Sequence, residues 1–318
     1  KKIKIIIAIA AISFIQGLQY CVSPVLGQIQ AHYTDVDVSF IQMLITAPAL
    51  MSMIVAVLSG WLVIKISKKK LLIFGSLVAG VTGFLPFLSD SFGLLFFSRT
   101  FYGVGLGLAI ALNTAVVAEF FEGDERVSVM GIQAASVGAG MVVVTTVGGM
   151  LGAGGFKSAY MINVIGFISM FLILFCLPDT GKAKVTKTEK IRLNSEVLKI
   201  SILGMIEFLF LITFTTNIAM HLSGSIAGNS AVSGNLTGIF SGAQIVIGLL
   251  LGVVTKMTKK YTLPVAMLSF SIGVILLILF PSNLIMLMIG AVFCGFSQGV
   301  FIPQAMVDVA SAVKPVAT

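Results

Sequence analysis

With 318 residues, 58% apolar and only 10% charged, and a mean hydropathy of +1.09, the chain lacks the polar side chains to cover a soluble globule of its size. Its formal net charge of +8 would suit a nucleic-acid binder, but the basic residues follow the pattern of membrane topology, which excludes nucleic acid as a partner. The apolar residues fall in blocks of about 20, the length that crosses a hydrocarbon core as a helix, without the short alternating segments of a barrel.

In chain order, membrane helices are expected over residues 5–27, 40–64, 71–88, 93–117, 128–152, 158–177, 199–221, 234–255, 262–280 and 285–309. The fold class is therefore all-α and polytopic, with the lipid bilayer as solvent. The first segment is a long apolar stretch without a small-residue cleavage site, so it reads as a membrane helix and not as a leader. Eighteen of the 20 Lys and Arg residues lie in loops on one side; Lys157 lies on the other, and Arg99 falls inside the fourth span. The positive-inside rule then puts the N-terminus and the Lys-rich loops in the cytoplasm, at a cell membrane. Cys21, Cys176 and Cys294 sit in three different spans with no paired or metal-like spacing and read as packing residues. His32 and His221 fall at external span ends, so neither a metal site nor a cofactor is expected.

The longest polar stretch follows the sixth span. It divides the chain into a six-helix bundle (1–177), a basic cytoplasmic linker (178–198) and a second bundle (199–318) with four helices. An internal repeat supports the division. Lys65-Ile66-Ser67-Lys68-Lys69 after the second span matches Lys256-Met257-Thr258-Lys259-Lys260 after the eighth, at an offset of 191. Phe101-Tyr102-Gly103-Val104-Gly105-Leu106-Gly107 in the fourth matches Phe293-Cys294-Gly295-Phe296-Ser297-Gln298-Gly299 in the tenth, at an offset of 192. Completing the repeat would take two more helices after Thr318, so the sequence is expected to be C-terminally incomplete; a natural ten-helix protein is the alternative.

Four local patterns point further. Gly60-Trp61-Leu62-Val63-Ile64-Lys65-Ile66-Ser67-Lys68-Lys69 forms a basic loop between the second and third spans. Arg99-Thr100-Phe101-Tyr102-Gly103-Val104-Gly105 sets an Arg ahead of spaced glycines in the fourth. Glu119-Phe120-Phe121-Glu122-Gly123-Asp124-Glu125-Arg126 is an acidic loop closed by Arg, and Gly154-Gly155-Phe156-Lys157 is a turn before the sixth span. Together these resemble the major facilitator superfamily over essentially the whole chain. Ile64, Ser67 and Tyr102 stand where the family commonly has Asp, Gly and Gln, and Val144 and Thr145 replace the Gly-Pro found in many proton-coupled drug exporters. The resemblance implies two pseudo-symmetric six-helix bundles, alternating access, a monomer, and a substrate site near the midplane.

Arg99 lies about eight residues into its span, roughly 12 Å along a helix. Such a charge either meets a substrate charge or a proton path, or is satisfied structurally by carbonyls and Tyr102. Glu207 sits near mid-depth in the seventh span, where a carboxylate is costly to keep charged and can load and release a proton; a hydrogen bond to a neighbouring helix is the alternative. Gln19, Tyr102, Asn113, Gln133, Asn217 and Gln244 are candidate cavity liners, or else interhelical hydrogen-bonders. Gly60, Lys65, Lys68, Lys69, Glu119, Arg126 and Asp308 are candidates for a cytoplasmic gate or its loops. Gly103, Gly107, Gly131, Gly238 and Gly242 fall on small-residue faces suited to close helix packing, those of the fifth and eighth spans forming a possible sliding contact.

These features support a secondary transporter of a small organic solute, with proton-coupled efflux of an amphipathic compound as the preferred form. Import of a sugar or organic anion is the alternative, and a non-transporting sensor or inactive fragment is the alternative of another class. An enzyme would need a catalytic constellation that two scattered His residues do not supply, and no Gly-x-x-x-x-Gly-Lys loop supports an ATP-driven pump.

Overall fold

The computed structural model describes residues 2–182 and 195–312, all helix and loop with no strand among them. Ten helical stretches are long and apolar enough to cross a membrane, as the hydropathy blocks require. The helices are α1 (Lys2–Gly17), α2 (Leu26–His32), α3 (Val38–Lys65), α4 (Lys68–Phe84), α5 (Phe92–Phe120), α6 (Gly123–Leu151) and α7 (Phe156–Ala159), then α8 (Val164–Cys176), α9 (Ser195–His221), α10 (Ser230–Leu249), α11 (Leu251–Thr258), α12 (Thr262–Leu279) and α13 (Leu284–Ala312).

Local chemistry explains the breaks. A 3-10 stretch over Leu18–Val25, containing Pro24, separates α1 from α2 within one continuous crossing. Proline removes a backbone donor and leaves carbonyls to be satisfied by neighbours. Asp37 starts α3 by accepting the Ser39 backbone N–H at 2.8 Å. The turn into α7 needs Gly155, whose φ of +113° few side chains tolerate. Between α11 and α12 the backbone breaks at Lys259, which has a positive φ of 49°.

Two compact units emerge: Lys1–Val185 with Gly228–Asn235, and Thr186–Ala227 with Leu236–Thr318. In the first, α5 is held on two sides by backbone-level contact. A Cβ at Gly103 or Gly107 would strike the Pro48 or Ser52 carbonyl of α3, and one at Gly105 would strike the Gly75 carbonyl of α4. In the second, a Cβ at Gly295 or Gly299 would strike the Phe240 or Gln244 carbonyl of α10. Each of these residues is related to its counterpart by the offset of 192: Gly103 to Gly295, Gly107 to Gly299, Pro48 to Phe240, and Ser52 to Gln244. The repeat is thus built as the same helix joint twice.

The start of α10 belongs with the first unit. Ser230 Oγ donates to the Gly149 carbonyl at 3.0 Å, Ser233 Oγ donates to the Pro24 carbonyl at 2.6 Å, and Gly234 lies against Thr145 and Gly149. The fifth and eighth membrane helices therefore meet through Gly149 and Gly234. Gly131 and Gly242 have open space where a Cβ would point, among the described residues, and Gly238 is buried.

Candidate functional site

Arg99 sits on α5 opposite the 3-10 break of the first crossing and is 2% exposed. Its Nε donates to the Leu44 carbonyl at 3.1 Å, its Nη2 to the Gln19 carbonyl at 2.5 Å, and its Nη1 to Cys21 Sγ at 3.4 Å. The Tyr102 ring lies 5.0 Å from the guanidinium carbon, and the Tyr102 hydroxyl donates to the Ile15 carbonyl. Gln19 Nε2 reaches the Ile45 carbonyl at 3.3 Å. None of the ion pairs among the described residues includes Arg99. The guanidinium therefore works as a rigid fork that joins the Gln19 carbonyl of the interrupted crossing to the Leu44 carbonyl of α3.

Asn113, fully buried on the same helix, donates from Nδ2 to Ser13 Oγ at 2.9 Å, and its Oδ1 has no partner among the described atoms. Gln133 Nε2 donates to Thr114 Oγ1 at 3.2 Å, linking α6 to α5. Three of the expected cavity liners thus gather around the first crossing (Gln19, Tyr102 and Asn113), each engaged by a neighbouring helix.

In the second unit Glu207 of α9 is 1% exposed and faces α13. Its Oε1 accepts from Ser297 Oγ at 3.0 Å and from Gln298 Nε2 at 2.8 Å; the same Nε2 also reaches the Glu207 carbonyl at 3.3 Å. Glu207 Oε2 and Gln298 Oε1 are both buried without a hydrogen-bond partner. Two orphaned acceptors in one buried cluster are unusual, since such atoms are nearly always paired. Ser297 and Gln298 were not singled out as site residues from the sequence. The available signal was the repeat, which places them between Gly295 and Gly299, so the joint that fixes the glycines also fixes them.

Asn217 lies nearly three helical turns beyond Glu207 on α9, is exposed, and donates to the Thr213 carbonyl at 2.8 Å. It borders an open groove between α9 and α12 that His221, Phe214 and Phe270 also line. Gln244 is half-buried on α10 and presents its backbone to Gly299.

At the lysine-rich end of the first unit, Lys68 Nζ pairs with Glu119 at 2.8 Å, tying α4 to α5. Lys69 Nζ donates to the Leu174 carbonyl at 2.8 Å, and Lys65 lies 3.8 Å over the Trp61 ring. Arg126 caps the end of α5 by donating to the Ala118 carbonyl at 2.7 Å and the Phe121 carbonyl at 3.2 Å. Gly60 is exposed with open space beside it. Asp308 lies on α13, but its side chain is outside the described residues, as are most of the linker positions. At the opposite end Asp90 collects three partners: His32 Nε2 at 2.9 Å, Lys157 Nζ at 3.0 Å and the Tyr33 hydroxyl at 3.2 Å. The Lys157 hydrogen bond, followed by that of His32, holds the Asp90 carboxyl below its ordinary value. Partial burial, with the Asp90 charge beside it, pushes the Tyr33 hydroxyl up to about 12.

Residues 7–222 match the family model of the Major Facilitator Superfamily, and the chain belongs to that family. It is 30% identical over 145 residues to the riboflavin transporter RibZ of Clostridioides difficile, covering 45% of this chain and 32% of that protein. It is 25% identical over 164 residues to the multidrug transporter AQR1 of Candida glabrata, covering 51% and 28%. The matched segments thus span about a third of these relatives' length. Among solved structures, a bacterial homologue of the human lysosomal transporter Spinster, inward-facing and unoccupied, superposes with a TM-score of 0.69 at 13% identity, over 98% of this chain and 76% of that one. Its occupied form gives 0.65 at 15% identity, over 96% and 77%. These likenesses establish the fold.

Proposed function

We propose that this member of the major facilitator superfamily is a secondary active transporter of a small organic solute, in which Glu207 takes up and returns the coupling proton. It works as a monomer in the cell membrane, with its lysine-rich loops in the cytoplasm. The observation that carries the reading is the state of the Glu207 carboxyl: Oε1 accepts two hydrogen bonds and Oε2, equally buried, accepts none. A proton on Oε2 removes the buried charge and turns an orphaned acceptor into a donor. Arg99 we assign to holding the interrupted first crossing, because it is 2% exposed and its Nε, Nη1 and Nη2 each donate to a backbone carbonyl or to Cys21. That removes the main argument for an anionic solute. The largely apolar composition of the helices, with a riboflavin transporter and a multidrug transporter among the relatives, supports an aromatic or amphipathic solute, and we take efflux as its direction.

The test uses purified protein in proteoliposomes with a solute panel that includes riboflavin and amphipathic drugs, with and without a pH gradient. Wild type is expected to respond to the gradient. Glu207→Gln is expected to lose that response while retaining solute exchange without a gradient. If Glu207→Gln follows the gradient as wild type does, the coupling assignment is wrong.

A further inference from the structure

Where α3 ends, α4 begins and α8 leaves the membrane, the first unit carries a concavity lined by Lys65, Lys70 and Lys182 around Asp179. We propose that it binds the phosphate of an anionic phospholipid headgroup. The neighbouring lysines are committed elsewhere, Lys68 to Glu119 and Lys69 to the Leu174 carbonyl. Lys65, Lys70 and Lys182 make no ion pair among the described residues. Asp179 offsets only part of their charge, and its carboxylate shapes the floor: Oδ1 accepts the Gly181 N–H at 3.0 Å and Oδ2 accepts Ser67 Oγ at 3.2 Å. Three ammonium groups against one carboxylate leave a basic hollow that a phosphodiester fits.

Its position selects a lipid over a free anion. The lining sits at the ends of helices long and apolar enough to cross a membrane, which is where headgroups meet such helices. Trp61, the only tryptophan of the chain, lies one turn before Lys65, is 55% exposed, and stacks under the Lys65 ammonium. Tryptophan with an exposed apolar face is the residue type that settles at this boundary. Ile64 and Phe175 on the same helix ends are also exposed, leaving apolar surface for acyl chains beside the charged hollow. The lysine-rich loops mark the cytoplasmic leaflet, where anionic lipids raise the local concentration of such headgroups.

Because Trp61 is the single tryptophan, its fluorescence reports lipid contact at this place alone. The chain is placed in nanodiscs of mixed phosphatidylglycerol and phosphatidylcholine, with either lipid brominated on its acyl chains. Brominated phosphatidylglycerol is expected to quench as if enriched about fivefold or more over phosphatidylcholine. The double variant Lys70→Gln, Lys182→Gln, which leaves Lys65 on Trp61, is expected to lose most of that preference. Asp179→Asn, which removes the opposing charge, is expected to increase it, so a variant with a gain guards against simple misfolding. Equal quenching by the two lipids in wild type, or an unchanged preference in the double variant, overturns the proposal. Loss of the preference on adding inorganic phosphate at matched ionic strength identifies a free-phosphate site and overturns the lipid assignment.

Discussion

Gln298 directs its amide nitrogen at one residue, donating both to the Glu207 side chain at 2.8 Å and to the Glu207 backbone carbonyl at 3.3 Å. This double grip fixes the carboxyl against α13 and leaves acceptors on both residues without a donor. Glu207→Gln replaces a buried, unpartnered carboxylate oxygen by an NH2 group and removes the buried charge. We expect this variant to be more thermostable than wild type at neutral pH, by about 1 kcal/mol. Gln298→Leu, which strips a donor from the buried carboxylate, is expected to be less stable by about 1–3 kcal/mol. Thermal unfolding in detergent checks both, and a stability loss in Glu207→Gln would contradict the assigned geometry.

The four joint glycines predict a pattern across helices. Gly107→Ala and Gly299→Ala each force a methyl group onto a carbonyl of the neighbouring helix and should cost about 1–3 kcal/mol. Gly131→Ala and Gly242→Ala add a methyl to open space and should stay within about 0.5 kcal/mol of wild type. Melting temperatures of the four variants, measured together, separate joints from merely small positions.

Arg99 is expected to behave as a structural residue. Arg99→Gln removes charge-assisted hydrogen bonds to two carbonyls and should destabilise by about 2–4 kcal/mol. Arg99→Lys should rescue poorly, because a single ammonium cannot span Leu44, Gln19 and Cys21 as a planar fork does. If Arg99→Lys restores wild-type melting, the fork is not what matters there.

The Asp90 cluster makes a prediction about pH. Because the folded carboxyl titrates below its ordinary value, its contribution to stability is present above the ordinary carboxylate range and is lost as pH falls through the lowered one. Carbon-13 carboxyl shifts of labelled aspartate should show an Asp90 midpoint below about 3.9. Lys157→Gln should move that midpoint upward, since the Lys157 hydrogen bond is the largest cause of the shift. An unmoved midpoint would show that the pairing does not persist in solution.

Much of the fold was legible in the sequence, because a bilayer imposes a coarse code of apolar blocks near 20 residues and lysines confined to one side. The offset near 192 was legible because glycine is the only residue that fits the joints. The functional site was less so. Arg99 and Glu207 stood out by depth, but sequence alone cannot say that carbonyls freed by the break at Leu18–Val25 would claim one of them. Nor could it show that two ordinary residues, Ser297 and Gln298, would serve the other. Small-residue spacing marks a face without saying which neighbour lies against it: a Cβ at Gly107 would meet the Ser52 carbonyl, whereas one at Gly131 or Gly242 would meet open space.

The paired joints carry a consequence for how the two halves retain their likeness. Along most of their length, helices in lipid can exchange one apolar side chain for another and forget a common pattern. Where Gly107 meets Ser52 and Gly299 meets Gln244, these two partners contribute their backbones, so their side chains are free to differ while the glycines are not. The memory of symmetry in this chain is kept at the points where there is no room to write anything else.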